Sequence, residues 1–188
     1  MTNFELFKKN LNFQEQNWTF RPKRVKIWEN FVGEHNTGKI LVCGLEKIEE
    51  LIAPKAELVG TKGDYNWSLW KPLDLGLFKT AYCFEVIEHL TNPLLFLVQL
   101  RLFLERDANL FVSWPSGRPQ FLWTNGHFHE YGQERAEEMF RMAGYEVVSW
   151  RWSPILWKEP WEYFKGVRPL LRLFFPLRCL MYHLKPLP

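Results

Sequence analysis

Two short segments of the chain concentrate side chains that can do acid–base or ligand-binding chemistry. They are Phe84-Glu-Val-Ile-Glu-His-Leu90 and His127-Phe-His-Glu-Tyr131. A carboxylate accepts hydrogen bonds from amino and hydroxyl groups, and an imidazole exchanges protons near neutral pH. We therefore interpret Glu85 as an acceptor for a polar ligand group or a solvated loop carboxylate, and His89 and His127 as candidate catalytic bases.

Each of these side chains also has a structural interpretation. Glu88 can cap a helix, and His89 can donate to a backbone carbonyl, as buried histidines often do. His127 and His129 have the same-face spacing of a strand and Glu130 follows them, which is compatible with a metal site, but no third ligand is evident. We predict no metal centre, and we expect His127 to orient the substrate.

Short apolar strands alternate with helical patterns between Lys39 and Trp152. The pattern predicts strands over 39–43, 57–60, 78–84, 109–114 and 145–152, and helices over 46–52, 93–106 and 133–143. Asn92 before Pro93 is a helix start, and Gly144 is a left-handed helix end. Helical crossovers return strands in one direction, so the predicted fold is α/β: a doubly wound, mostly parallel sheet with helices on both faces. No helix fits between the second and third strands.

Ligands of such sheets bind beyond the carboxyl ends of the strands. That edge should contain Gly44 to Lys47, Lys62 to Asp64, Glu85 to His89, and Trp114 to Gly117. Residues 115–119 are predicted to form a loop. We expect substrate contacts from Trp114, Ser116 and His129, with core packing as the alternative for the first two.

The segment from Phe84 to Leu90, followed by Asn92-Pro93, a helix, and a strand ending Ser113-Trp-Pro115, resembles the class I S-adenosylmethionine-dependent methyltransferases. The nearest likeness is to their small-molecule and quinone-biosynthesis group, whose fourth strand commonly ends E-V-L-E-H. His127 to Tyr131 with Gly144-Tyr-Glu-Val147 looks like that group's H-x-x-x-aromatic, helix, A-G-F-x-V. The resemblance covers about Phe78 to Val148. It implies a Rossmann-like fold, methyl transfer, and S-adenosylmethionine as cofactor.

The first half departs from this family. The family's opening strand usually ends D-x-G-x-G-x-G, and the matching residues here are Val42, Gly44, Glu46 and Ile48. A Glu46 side chain obstructs close backbone approach, and its charge repels the cofactor's carboxylate. The ribose-binding acidic position is Lys62, with Asp64 two residues further on. The resemblance thus implies Gly44, Asp64 and Glu85 as cofactor residues in a degenerate cofactor-binding half.

Composition limits the class of protein. The chain has 188 residues, of which 47% are hydrophobic and 24% charged, enough apolar surface for a closed core. A formal charge of +3 is too small for a protein that coats DNA. Cys43, Cys83 and Cys179 form neither a disulfide framework nor a CxxC zinc site, which favours a reducing compartment. With no signal-peptide pattern and no spanning apolar run, we expect a cytoplasmic protein, in part peripheral to the membrane.

The predicted domains are a helical lead-in over 1–38, the methyltransferase-like domain over 39–152, and a basic aromatic extension over 153–188 packed on it. Tyr163 to Pro188 carries five cations and no acidic residue: Lys165, Arg168, Arg172, Arg178 and Lys185. Such a segment favours contact with an anionic membrane. RNA contact and packing on the domain, as a final strand or helix pair, remain alternatives.

The sequence therefore predicts a methyltransferase acting on a small or lipid-linked acceptor. Methyl transfer is an in-line displacement, so the protein mainly holds the acceptor atom against the methyl group. The alternative is a non-catalytic, methyltransferase-like partner protein that has lost cofactor binding.

Overall fold

The structure is a computed structural model that describes residues 22–44, 46–60, 76–116, 119–123, 126–154 and 178–188. Its helices are α1 (Pro22–Val32), α2 (Glu46–Ile52), α3 (Pro93–Leu100) and α4 (Gln133–Met142). Its strands are β1 (Lys39–Val42), β2 (Glu57–Gly60), β3 (Phe78–Phe84), β4 (Leu104–Ser116), β5 (Tyr145–Pro154) and β6 (Arg178–Pro186). Short 3₁₀ turns occupy Ile87–His89, Arg101–Phe103 and Gln120–Leu122.

The helix ends follow the local signals in the sequence. The Asn92 side chain accepts a hydrogen bond of 3.1 Å from the backbone N–H of Leu95, so it caps α3 ahead of Pro93. Gly144 has a φ of +81° just after α4, which is the left-handed conformation that a helix C-terminus favours. Both predicted helix signals are confirmed.

The described strands form one sheet in the order β2-β1-β3-β4-β6-β5. β1 pairs in parallel with β2 and β3, and β3 pairs in parallel with β4. β6 lies antiparallel between β4 and β5, so β5 again runs with β4. The predicted mostly parallel sheet is confirmed, with β6 as the reversed strand.

Helices cover both faces of the sheet, because successive side chains of each strand point to opposite faces. Ile40, Val42, Tyr82 and Phe84 are buried in one cluster with side chains of α1 and α2. Leu41, Cys43, Ala81 and Cys83 are buried in the other cluster with side chains of α3 and α4. The doubly wound α/β architecture predicted from the sequence is therefore confirmed.

Several element limits differ from the prediction, and two of these differences have a clear cause. The helix expected to run to Arg106 ends at Leu100, because β4 begins at Leu104 and pairs with Phe78 of β3. The loop expected over 115–119 is in part strand, since Pro115 and Ser116 pair with residues of β6. In both places a partner strand distant in sequence decides the backbone conformation.

The end of the chain is part of the sheet. β6 pairs with β4 from Leu110 to Ser116 and with β5 from Tyr145 to Pro154. Its residues Cys179 to Tyr182 are buried. The rest of the basic segment, residues 163–177, lies outside the described residues, as do Thr61 to Trp70 between the second and third strands. No described helix has the length and apolar character needed to cross a membrane.

Candidate functional site

The end of β1 approaches the segment after β3 closely. Gly44 is exposed with a φ of +121°, and a Cβ placed there would lie 2.6 Å from Cγ2 of Val86. Any larger residue at this position is therefore strained and sterically blocked. Gly44 has a structural reason to be glycine, and its backbone remains approachable from solvent.

Glu85 turns sharply at the end of β3 with a φ of +56°, a conformation uncommon for residues other than glycine. Its backbone N–H donates to Ser113 O at 2.9 Å. Its Oε1 accepts a hydrogen bond of 3.0 Å from Ser113 Oγ and one of 3.1 Å from Cys179 Sγ. Residues of β4 and β6 thus hold the Glu85 carboxylate at the carboxyl end of the sheet.

Next to Glu85 the 3₁₀ turn Ile87–His89 buries both Glu88 and His89. Nδ1 of His89 donates to Gly126 O at 3.0 Å, since a carbonyl oxygen can only accept. Burial, together with the neighbouring His127, lowers the pKa of His89 to about 4. His89 is consequently neutral at pH 7, and its Nε2 carries the lone pair.

The segment from Gly126 to Tyr131 brings a second histidine to this turn. The rings of His89 and His127 lie 4.7 Å apart, edge to face. Nδ1 of His127 lies 2.9 Å from Oε1 of Glu130, whose side chain is fully buried. We call Glu88, His89, His127 and Glu130 the histidine–glutamate cluster. It is an arrangement that can orient, accept or exchange a proton, or ligate a cation.

Backbone hydrogen bonds attach this segment to the sheet. The backbone N–H of Phe128 donates to Glu88 O at 2.7 Å. Trp114 Nε1 and Ser116 Oγ both donate to Tyr131 O, at 3.0 and 2.5 Å. Trp114 is fully buried and stacks on Tyr182 with ring centroids 5.3 Å apart. This burial favours the packing alternative for Trp114 and Ser116, and substrate contact by either stays a prediction.

His129 faces away from the cluster. Its ring stacks on Tyr131 at 4.9 Å, and burial lowers its pKa below the usual range. Both side chains line a groove of about 290 Å³ next to α3 and α4, together with Thr91, Arg135 and Met139. His129, one of the predicted substrate residues, therefore lines this groove.

The strand ends thus bring Gly44, Glu85, His89 and His127 to one edge of the sheet, while Asp64 lies outside the described residues. Sequence reasoning missed the contacts that hold these groups, above all Ser113 and Cys179 on Glu85. The apolar residues around Cys179 predict only that it is a core residue. No local signal in the sequence links it to the carboxylate of Glu85, which lies 94 positions earlier.

No family model and no curated protein sequence matches the chain. Solved structures do match it. A proposed methyltransferase from Bacillus halodurans superposes with a TM-score of 0.61 at 13% identity, over 87% of this chain and 99% of that one. A S-adenosylmethionine-dependent methyltransferase from Clostridium acetobutylicum gives 0.58 at 10% identity over 100% of both chains. The cyclase SpnF gives 0.58 at 12% identity, over 92% of this chain and 84% of that one.

At these identities the likeness shows the fold alone. The chain has the fold of the class I S-adenosylmethionine-dependent methyltransferases, a Rossmann-like α/β sheet. The resemblance seen in the sequence is confirmed at this level. Its small-molecule and quinone-biosynthesis subgroup and the degeneracy of the cofactor half stay predictions.

Proposed function

We propose that the protein is an S-adenosylmethionine-dependent methyltransferase that acts on a small or lipid-linked acceptor. The observation that carries this proposal is the convergence of Gly44, Glu85 and the histidine–glutamate cluster at the carboxyl edge of a methyltransferase-type sheet. Open α/β sheets bind their ligands at this edge.

Some of the residues at the carboxyl edge of the sheet suit S-adenosylmethionine. Gly44 leaves the backbone exposed at the end of β1, where a bound nucleoside or amino acid group needs close approach. Glu85 is the candidate acceptor for an amino group, and Asp64 the candidate for the ribose hydroxyls. When bound, S-adenosylmethionine supplies an electrophilic methyl group on its sulfonium.

The cluster is the candidate centre for the acceptor. With Nδ1 of His127 donating to Oε1 of Glu130, the carboxylate fixes the orientation of the ring and Nε2 is left as the nitrogen that can accept a proton. Burial lowers the pKa of His89 to about 4, so His89 is a poor proton acceptor at neutral pH and is suited to accepting a hydrogen bond. His127 is therefore our catalytic base for an acceptor that must lose a proton.

The groove beside the cluster supports the substrate proposal. His129 and Tyr131 form one stacked wall, and Arg135 and Met139 of α4 line it. Trp114 and Ser116 act here as positioning residues, because both hold the carbonyl of Tyr131. An apolar or aromatic acceptor with one polar group suits such a surface.

Calorimetric titration with S-adenosylmethionine and S-adenosylhomocysteine tests the proposal directly. Specific binding of both supports it. Glu46→Gly combined with Lys62→Asp should tighten binding by about 1–3 kcal/mol, because it removes a repulsive carboxylate and adds a ribose acceptor. Unchanged or weaker binding of the double variant contradicts the cofactor placement.

The alternative is a non-catalytic, methyltransferase-like protein that binds a partner. Its support is the pair Glu46 and Lys62, which stand where the family has a glycine and an acidic residue. A fold by itself does not decide between the two functions. Absence of any binding of the two nucleosides at millimolar concentration would establish this alternative over the enzyme.

A further inference from the structure

Four polar side chains converge in the nearly closed space beyond β3. Their side-chain exposures are 1% for Glu88, 9% for His89, 6% for His127 and 0% for Glu130. We infer that Glu88, His89 and His127 form a site for a divalent transition-metal ion of the Zn²⁺ type. Glu130 would contact the ligand His127 through Nδ1 and not the ion itself. This proposal differs from the expectation, made from the sequence, that there is no metal centre.

The distances suit a metal site after a small contraction. One ligand atom from each of Glu88, His89 and His127 lies within 4.8 Å of the others, and Oε1 of Glu88 is 3.9 Å from Nε2 of His89. Tetrahedral zinc with bonds of about 2.0 Å requires ligand atoms about 3.3 Å apart. Side-chain rotations have to close a gap of about 0.6 Å between Glu88 and His89 and of at most about 1.5 Å within the group.

Both imidazoles are already held as metal ligands usually are. A ligating histidine donates its other ring N–H to a carbonyl or carboxylate, which fixes the tautomer and the ring orientation. Here His89 donates from Nδ1 to Gly126 O, and His127 pairs through Nδ1 with Glu130. These contacts leave Nε2 as the ligand atom on each ring.

The donor atoms indicate which kind of ion would bind. Two nitrogens and one oxygen suit Zn²⁺ or Fe²⁺ better than Mg²⁺ or Ca²⁺, which prefer all-oxygen shells.

The ligand pair differs from the one that sequence spacing suggests. His127 and His129 are two residues apart, yet the ring of His129 stacks on Tyr131 in the groove. The partner of His127 is His89, 38 positions earlier in the chain. A substitution at His129 is therefore a matched control for the metal-binding measurements on His127.

A role of the ion in activating a methyl acceptor rests on the proposed function, whereas metal binding itself does not. An ion at this position would hold an acceptor oxygen and favour its deprotonated form, with the proton released to solvent. It would then replace His127 as the group that activates the acceptor. Because no cofactor is needed for the ion to bind, a failed metal titration and a failed nucleoside titration remain distinguishable.

The test uses the full chain, stripped of metal with a chelator and titrated with Zn²⁺ in a calorimeter. We expect one ion per chain, and absorption bands of nitrogen- and oxygen-ligated Co²⁺ when Co²⁺ replaces Zn²⁺. His127→Gln should weaken the affinity about 100-fold or more, and Glu130→Gln about 10- to 100-fold. His129→Gln should leave the affinity within about threefold of the parent.

Thermal melting provides a second measurement that guards against misfolded variants. Zn²⁺ should raise the melting temperature of the parent and of His129→Gln, because an ion that binds only the folded state stabilises it. Zn²⁺ should not raise the melting temperature of His127→Gln. A cooperative melt of this variant without metal shows that it folds. Absence of stoichiometric binding, or equal affinity in His127→Gln and the parent, overturns the inference.

Discussion

At the scale of single residues, the carboxyl edge of the sheet is made of positions that few side chains can occupy. Glu85 adopts a φ of +56°, a conformation that costs an L-residue about 1 kcal/mol or more. The hydrogen bonds from Ser113 and Cys179 hold it there. Gly44, one strand away, is restricted by its own φ and by Val86. Local contacts thus restrict which residues can stand at both positions.

The first prediction concerns Gly44. Gly44→Ala should lower the free energy of unfolding by about 1–3 kcal/mol, because it combines an unfavourable φ with a 2.6 Å approach to Val86. Urea denaturation measures this. In a protein that also carries Val86→Ala, Gly44→Ala should lower the free energy of unfolding by less, because the clash is removed and only the unfavourable φ remains. As a control, Gly132→Ala should change stability by less than about 1 kcal/mol, because nothing lies within 4 Å of its Cβ and only the preference for glycine over alanine at the N-cap of α4 is lost. Equal costs in both backgrounds would contradict the steric account.

The second prediction concerns His183 in β6. Its Nε2 donates to Oδ1 of Asn109, its ring stacks on Phe111, and burial, with His35 and Lys185 nearby, lowers its pKa from 6.5 to about 4. Between these two pH values the unfolded state binds more protons, so stability falls as the pH drops from about 6.5 to about 4. Solvent screening of this half-buried ring limits the loss to about 1–2 kcal/mol.

The measurement is urea denaturation of the parent and of His183→Gln at pH 7 and pH 4.5. The variant should lose about 1 kcal/mol less than the parent over this interval, because glutamine does not titrate. Any acid sensitivity that His89 contributes is common to both proteins and cancels in the comparison. An identical pH dependence of the two would show that His183 is protonated equally in the folded and unfolded states.

At the scale of elements, partner strands override local patterns. Apolar residues at helical spacing continue past Leu100, but Phe103 and Leu104 are buried in the same cluster outside the α-helix, Phe103 in a 3₁₀ turn and Leu104 in β4. Burial alone does not distinguish the end of a helix from the start of a strand. Helix α4 shows the opposite case, since its apolar face, Ala136, Met139 and Phe140, is buried as its spacing predicts.

The third prediction tests this helix face. Phe140 is fully buried between Trp114 and Tyr182, with ring centroids at 5.9 and 5.0 Å. Phe140→Ala should lower the free energy of unfolding by about 3–5 kcal/mol through lost burial and a residual cavity. On the exposed side of the same helix, Met142→Ala should cost less than about 1 kcal/mol. A loss below about 1 kcal/mol for Phe140→Ala would mean that this face is not the buried one.

At the scale of the whole molecule, the chain folds back so that its last described strand separates β4 from β5. The basic segment therefore has two parts. Residues 178–186 are a strand of the sheet, with Cys179, Leu180 and Met181 buried. Arg178 lies over the ring of Trp152, 5.8 Å from its centroid. Deleting residues 163–188 removes β6 along with the cations, so deletion is not a clean test of membrane contact.

The fourth prediction uses charge substitutions instead. If residues 163–177 contact an anionic membrane, the full chain should sediment with anionic but not neutral vesicles. Binding should weaken between 0.1 M and 1 M salt, as the Debye length falls from about 10 to about 3 Å. Lys165→Ser, Arg168→Ser and Arg172→Ser together should reduce it strongly, because each cation near the surface contributes about 1 kcal/mol.

The control for vesicle binding is Lys185→Ser, which removes a cation from β6 without touching residues 163–177. Equal loss of binding in this variant would indicate a diffuse charge effect. If the parent protein ignores anionic vesicles at low salt, the membrane hypothesis fails and the acceptor proposal loses its lipid-linked branch.

The sequence by itself determined the α/β class, the order of the described elements from β1 to β5 and most of their limits. This succeeded because strand and helix periodicity, the Asn92 cap and the Gly144 stop are local signals that act within a few residues. The edge of the sheet that carries the site followed from the direction of parallel strands. The candidates Glu85, His89 and His127 were identified from residue type and motif alone.

Only the tertiary structure decided which of these side chains meet. The contacts of Glu85 with Cys179, of His89 with His127 and of Trp114 with Tyr131 join residues 17 to 94 positions apart. Such contacts depend on the order of the strands and the path of the loops, and local sequence periodicity predicts neither. For the same reason the sequence showed no third candidate ligand beside His127. Glu88 and His89 lie next to His127 because the fold brings the end of β3 and the segment after β4 together.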